Sequence, residues 1–384
     1  MNTEMTTDDG HQQNVIVKLK EKQFPHIFDF KNKKINLSLL DDPNYIKKSV
    51  GNVDFSDNLA LPTGLLNSSV LNALKIDIGC TEVNSAVASA FSSLYGRKKI
   101  GAVIGVSMEE VEPFGETSFT ELISVYDKQV QVLNEFADFF IIDKIKTMVD
   151  LRAALLSCKK TDKPILVNIA ADRFENTENS IASSLGGLIT AQEMGACGFG
   201  FCCDNDENTS EIAAELLKYA KIPLIADLTG KTFSDGKIPK GINTLICKSG
   251  DPYSFIKTEA ARFVERKDDF FIFTHYGNIF FLEADTTEIS EPIKCQPNME
   301  EIIYEKCKSS CDILRVEVNS IDDALDFARN SHMSTLPVMF LSENVMALRM
   351  ALMLYQGIAL IDSSTLIPEK ELEAMCKKYG AVVY

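Results

Sequence analysis

The feature that most constrains the fold is a regular alternation of apolar and amphipathic segments between residues 100 and 247. Strands that are apolar throughout, separated by segments with helical periodicity, are typical of a parallel sheet covered by helices. The sequence therefore predicts an α/β fold for this region. The predicted strands are 100–106, 138–143, 164–169, 198–203, 223–227 and 244–247, and the predicted helices are 120–134, 148–159, 184–195 and 210–220.

Two earlier apolar segments, around 26–30 and 76–81, extend the series to eight strands by about residue 265. Eight βα units predict a closed (βα)8 TIM barrel, because closure leaves no unpaired sheet edge. The charged stretch 261–269 marks the predicted boundary between a barrel at 15–265 and a second unit at 266–384. This second unit has a shorter strand–helix alternation, which predicts a partial-barrel α/β unit.

Composition excludes several classes of partner. The formal net charge is −16 and no run of Lys and Arg stands out, which argues against binding to nucleic acid or to an anionic membrane surface. The sequence has no apolar run long enough to span a membrane and no secretion signal. Ten cysteines in such a chain indicate reduced thiols, so we expect a cytoplasmic protein.

Polar and sulfur-containing residues stand at three predicted strand ends. Asp143 and Lys144 follow one strand, Cys202 and Cys203 end another, and Cys247 ends the last. In a closed barrel these ends share one rim, where catalytic residues of such barrels lie. Three thiolates on Zn²⁺ with an open fourth position would activate a substrate thiol. The alternative is simple packing, since free cysteines are commonly buried.

Adjacent strand residues point to opposite faces of a sheet. Cys202 and Cys203 can therefore both be ligands only if the strand has ended by Cys202. The sequence leaves the zinc site and the packing alternative open.

Several motifs of the chain belong together. They are Leu19-Lys-Glu-Lys, His26-Ile-Phe-Asp29, Ile76-Asp-Ile-Gly-Cys-Thr81, Ile100-Gly-Ala-Val-Ile-Gly-Val106, Tyr126-Asp-Lys-Gln-Val and Phe199-Gly-Phe-Cys-Cys203, and in the second unit Pro337-Val-Met-Phe-Leu-Ser and Lys377-Lys-Tyr-Gly-Ala381. In this order they resemble the homocysteine S-methyltransferase family, in particular the first barrel of cobalamin-dependent methionine synthase. The resemblance covers roughly 15–255, and 337–381 resembles part of the pterin-binding barrel that follows in methionine synthases.

The resemblance implies an S-methyltransferase that transfers a methyl group to a zinc-activated thiol such as homocysteine. Cys203 corresponds to the family's first zinc ligand, and Cys202 and Cys247 would complete the set. The implied partners are a small thiol and a corrinoid protein or another methyl donor. Separately, the open sheet edge of the second unit would pack against the first barrel or against a second chain, so a homo-oligomer is one alternative. The remaining predicted site residues are Asp143 and Asp227 as catalytic groups and Lys144 and Glu82 as substrate-binding groups.

The chain also departs from the family pattern. Asp143-Lys144 replaces a Glu-Thr pair, Asp227-Leu-Thr-Gly230 replaces Pro-Asn-Ala-Gly, and Ile246-Cys-Lys-Ser249 replaces Gly-Gly-Cys-Cys. Leu341 and Asp362 replace an acidic residue and an asparagine of the pterin site, and a corrinoid-binding motif is absent. No bound cobalamin or folate is therefore expected. Two hypotheses follow: an enzyme with redistributed zinc ligands, or a catalytically inactive paralogue that is a partner- or ligand-binding scaffold.

Overall fold

The computed structural model describes most of the chain from residue 101 onward and two short strands before it. The described ranges are 14–18, 65–67, 101–107, 109–134, 137, 139–171, 180–202, 206–227, 242–248, 271–283 and 286–384. The predicted strands at 26–30 and 76–81, and Glu82 and Cys203, lie outside these ranges.

Eight strands form the first sheet, in the order β1-β8-β7-β6-β5-β4-β3-β2. The strands are β1 (Asn14–Lys18), β2 (Leu65–Asn67), β3 (Gly101–Ile104), β4 (Phe139–Ile145), β5 (Ile165–Ala170), β6 (Gly198–Cys202), β7 (Leu224–Asp227) and β8 (Ile242–Lys248). The pairs from β2 to β8 are parallel, whereas β1 is antiparallel to β8. Within the described strands β1 does not pair with β2, so the sheet is open and the predicted barrel closure is not confirmed.

Four helices follow strands of this sheet: α1 (Phe119–Asn134), α2 (Met148–Cys158), α3 (Ser180–Glu193) and α4 (Asp206–Tyr219). The alternating residues Phe140, Ile142, Val167 and Phe199 of the strands belong to one buried apolar cluster with these helices. Burial of this apolar surface is the main stabilising term, about 25 cal/mol per Å². The helix α2 begins where its N-cap Thr147 accepts a hydrogen bond from the Asp150 amide.

The C-terminal part contains a second parallel sheet whose strands follow one another in chain order. Its order is β11-β12-β13-β15-β16, formed by β11 (Ile293–Lys294), β12 (Leu314–Glu317), β13 (Val338–Leu341), β15 (Leu360–Ile361) and β16 (Val382–Val383). The helices are α5 (Glu300–Cys307), α6 (Ile321–Asn330), α7 (Val345–Leu354) and α8 (Glu369–Tyr379), with a 3₁₀ turn at Ser331–Met333. Sequential parallel strands joined by helices are the arrangement expected of part of a barrel. None of the described helices is long and apolar enough to cross a membrane.

A hairpin connects the two sheets. It consists of β9 (Phe271–His275) and β10 (Asn278–Leu282), and β9 also pairs with β14 (Gly357–Ile358). Its two turn residues, Tyr276 and Gly277, have φ of 45° and 80°, as in the tight turns that match strand twist. A Cβ on Gly186 of α3 would lie 2.3 Å from the Gly277 carbonyl oxygen, so this helix contacts the hairpin backbone directly.

Two cations of the α2 segment cross the same junction. The guanidinium of Arg152 is fully buried and donates to the carbonyl oxygens of Gly357, Leu352 and Tyr379. Lys159, just after α2, donates to the carbonyl of Met194 and to those of Lys377 and Lys378. The accepting groups lie at or near the carboxyl ends of α3, α7 and α8, where unpaired carbonyls carry partial negative charge. The two parts are thus joined by cations that cap helix ends.

Candidate functional site

The candidate site lies at the carboxyl edge of the first sheet. Asp143 pairs in register with Asn168, and Asn168 pairs with Gly200, so the three residues form one row across β4, β5 and β6. Cys202 lies two residues further along β6, opposite Ala170. Carboxyl ends of parallel strands are where α/β proteins place their ligand sites.

A hydrogen bond orients the Asp143 carboxylate. Asn168 is fully buried, and its Nδ2 donates to Asp143 Oδ1 at 2.7 Å. A Cβ at position 200 would lie 3.0 Å from both Asn168 Oδ1 and Ile225 Cβ, so glycine leaves space for the buried amide. Asn168 is not among the site residues predicted from the sequence. Its position in the apolar strand β5 is a signal in the sequence, because a polar residue in a buried strand requires a hydrogen-bond partner nearby.

Lys144 follows Asp143 in a strained backbone conformation. Its φ is +54°, and the register between β4 and β5 shifts between Asp143 and Ile145. A left-handed conformation is unfavourable for a residue with a Cβ, by roughly 1–2 kcal/mol, and such strain clusters at functional sites. The bulge places the Lys144 side chain in solvent, next to the oriented carboxylate.

The predicted zinc ligands are described only in part. Cys202 is a half-buried cysteine and the last residue of β6. Cys247 lies within β8 opposite Val15, one residue beyond Ile246, the register partner of Asp227. In the ranges that the structure describes, no group of three His, Cys, Asp or Glu side chains is placed to hold a metal ion. Zinc binding therefore stays a prediction, as do the roles of Asp227 and Glu82.

A second buried carboxylate lies outside this row, between α1 and α2. Asp150 accepts hydrogen bonds from Tyr126 Oη at 2.6 Å and from Thr147 Oγ1 at 2.7 Å, and Tyr126 Oη accepts from the Ser107 amide. Burial raises the pKa of Asp150, and the two hydroxyl groups oppose that rise. All its partners belong to the surrounding helices and loops, so the network is structural.

Comparison with known proteins gives distant structural similarity alone. No protein-family model matches the chain, and no curated protein matches it. Among solved structures, a type I 3-dehydroquinate dehydratase from Clostridium difficile is similar at 14% identity, over 47% of this chain and 66% of that one, with a TM-score of 0.31. The homocysteine methyltransferase MmuM from Escherichia coli is similar at 11% identity, over 46% of this chain and 62% of that one, with a TM-score of 0.28.

The matched part spans less than two thirds of the length of either protein. At these TM-scores neither likeness carries an argument about chemistry. The motifs of the sequence and the geometry of the row at the sheet edge are the features that bear on function.

Proposed function

We propose that the carboxyl edge of the first sheet is the active centre of a methyltransferase-like protein that transfers a methyl group to a small thiol. The observation that carries the proposal is the Asp143 carboxylate, which the buried Asn168 orients. Asp143 is on β4, and Cys202 is on β6, two residues beyond the row that contains Asp143. The family resemblance of the motifs around Asp143 and Cys203 supports the same reaction.

The reaction requires a thiolate, which is the nucleophilic form of sulfur. Its sulfur forms a bond to the methyl carbon while the bond from that carbon to the donor breaks, and the donor keeps the electron pair. Asp143 would receive the proton that the thiol loses, and Asn168 would hold the carboxylate in place. Lys144, in solvent beside Asp143, would attract the carboxylate of an amino-acid thiol. Zinc on Cys202, Cys203 and Cys247 would stabilise the thiolate when bound.

The test is methyl transfer to homocysteine by the full chain, with a methylsulfonium compound and methylcobalamin as alternative donors, together with its zinc content. Asp143→Asn should lower kcat by about 100-fold or more, as expected for loss of a proton acceptor. Cys202→Ala should release zinc, whereas Cys311→Ala, a thiol of the second sheet region, should change neither quantity. Metal-free protein that is inactive with every donor would favour the inactive scaffold.

A further inference from the structure

A cleft lies between the two parts of the chain, away from the row at the sheet edge. Its volume is about 250 Å³. One wall consists of Val111, Phe119 and Val149 from the first part, and the facing wall consists of Leu325, Ala328 and Leu354 from the second. Neither Asp143, Asn168 nor Cys202 lines it. An engineered apolar cavity of about 150 Å³ binds benzene, so this cleft has room for a ring with a short chain.

Gln356 lines the cleft and has an unsatisfied acceptor. The residue is only 5% exposed, and its Nε2 donates to the Leu354 carbonyl at 2.8 Å. That bond fixes the orientation of the amide, and Oε1 is buried without a hydrogen-bond partner. A buried acceptor that lacks a donor is unfavourable. Gln356 lines the cleft, so a ligand N–H that enters beside this side chain and moves it slightly would reach Oε1 and relieve it.

The electrostatic environment of the cleft favours a positive charge. Glu112 lines the cleft and is exposed, and the same loop carries Glu109, Glu110 and Glu116, all exposed. Arg329 also lines it, but its charge is paired with Asp326 at 3.3 Å.

The helix ends around the cleft also favour a positive charge. Leu354 is the last residue of α7, and Ala328 lies in the last turn of α6, so both contribute the negative end of a helix dipole. The opposing amino end of α1 is already satisfied, because Glu121 accepts hydrogen bonds from the amide and hydroxyl of Ser118.

We propose that this cleft binds a small organic cation, an ammonium or amidinium group attached to an apolar body. The N–H group donates to Gln356 Oε1, the apolar body packs between Phe119 and Leu325, and Glu112 attracts the charge at the entrance. Because the walls come from both parts of the chain, the ligand would also strengthen their contact. The proposal does not depend on methyl transfer at the sheet edge.

The test is a titration of the full chain with phenethylamine, observed by saturation-transfer NMR, with phenethyl alcohol and hydrocinnamate as neutral and anionic analogues. The expected order of affinity is amine, then alcohol, with no binding of the carboxylate. Gln356→Met keeps the shape of the side chain and removes the acceptor, so amine binding should weaken about tenfold. Glu112→Gln should weaken it about twofold to fivefold, and Glu301→Gln, an exposed residue of α5, should have no effect.

Ala328→Leu provides a second variant, since Ala328 is half-buried in the wall of the cleft and a larger side chain there would fill the cleft and should abolish binding of every analogue. Circular dichroism of each variant checks that the chain is folded. Equal affinities of wild type and Gln356→Met would overturn the proposal, as would equal binding of amine and carboxylate. Failure of all three probes to bind would also overturn it.

Discussion

Two arginines connect elements of the chain, and they do so in opposite ways. Arg152, at the junction of the two parts, is fully buried and bonded to carbonyl oxygens and to the Met194 sulfur, with no carboxylate among its described partners. Arg315, on β12 of the second sheet, is partly exposed and forms an ion pair with Asp362 at the end of β15. Arg152 is therefore held by fixed backbone dipoles at the junction, whereas Arg315 is held in the second sheet by a carboxylate that can be protonated.

The contacts of the two arginines should respond differently to acid pH. Backbone carbonyls do not titrate, so the Arg152 contacts should persist at acid pH. Burial lowers the pKa of Arg152 to about 10, which still leaves the guanidinium charged at neutral pH. The contacts of Arg315 depend on the charge of Asp362 and should weaken in acid. The first arginine is thus expected to fix the relative position of the two parts, and the second to adjust the stability of one sheet.

The largest expected effect comes from Arg152→Met. The variant removes the buried cation and leaves three carbonyls without a donor, so the free energy of unfolding should fall by about 3–5 kcal/mol. Scanning calorimetry should also separate one transition into two, because the parts lose their shared contact. Arg329→Met, at an exposed pair, is the control and should change stability by under about 0.5 kcal/mol. A single transition at unchanged temperature in Arg152→Met would show that the junction does not depend on this cation.

The next effect is expected at Gly357, whose carbonyl accepts from Arg152. A Cβ there would lie 1.9 Å from the Thr274 carbonyl oxygen, so Gly357→Ala must separate β14 from β9 and should cost about 2–3 kcal/mol. The control is Gly195→Ala, where φ is +88° and the nearest atom, Lys159 Nζ, is 3.8 Å away. Only the backbone penalty of roughly 1–2 kcal/mol applies there. Chemical denaturation of both variants measures the difference, and equal losses would mean that the hairpin contact tolerates a side chain.

Local pattern predicted most of the described strands and helices. The predicted helix 120–134 differs from α1 by one residue, and the predicted strand 198–203 differs from β6 by one residue. These segments are predictable because periodicity and capping residues act within a few positions. The pairing of β9 with β14 was not predicted, because it joins residues about eighty positions apart in the chain, and no local pattern reports such a contact.

The burial of Arg152 and the pairing of Asp143 with Asn168 also depend on contacts between distant parts of the chain, so they were less predictable. α2 is buried on almost its whole surface, whereas a helix on one face of a sheet is ordinarily amphipathic and keeps its charged residues in solvent. Only the second part of the chain, folding over α2, makes Arg152 a junction residue. At the site, the strand ends placed Asp143 and Cys202 at one edge, but the partner Asn168 is visible only in the register of β4 and β5.

The stability of the second sheet should depend on pH through Asp362. Burial alone would raise the pKa of Asp362, but hydrogen bonds from Ser364 and the Arg315 guanidinium outweigh it and hold the pKa below its usual value. The unfolded state then takes up protons first, so stability should fall as pH decreases below about 4. Asp362→Asn should cost about 1 kcal/mol at neutral pH and should reduce that acid dependence. An acid dependence unchanged in Asp362→Asn would assign the loss to other carboxylates.

The smallest effect is expected at Asp150, which lies two residues before Arg152 on α2. Its pKa is raised, chiefly by burial, which is the opposite direction to Asp362. The folded state holds the proton to higher pH than the unfolded state, so this residue makes stability fall as pH rises from about 4 through its folded pKa. Asp150→Asn keeps an acceptor for the Tyr126 hydroxyl and should remove this slope, with a change at neutral pH of about 1 kcal/mol or less.

Chemical denaturation of Asp150→Asn and Asp362→Asn between pH 3 and pH 7 compares the two carboxylates directly. This pH range includes the usual pKa of aspartate, about 3.9. Relative to wild type, Asp150→Asn should gain stability toward neutral pH, and Asp362→Asn should gain stability toward acid. Arg152→Met should lose the same amount throughout, because the groups that it bonds do not titrate. If the loss in Arg152→Met diminished in acid, a titrating carboxylate would have to balance its charge, and the contrast between the two arginines would not hold.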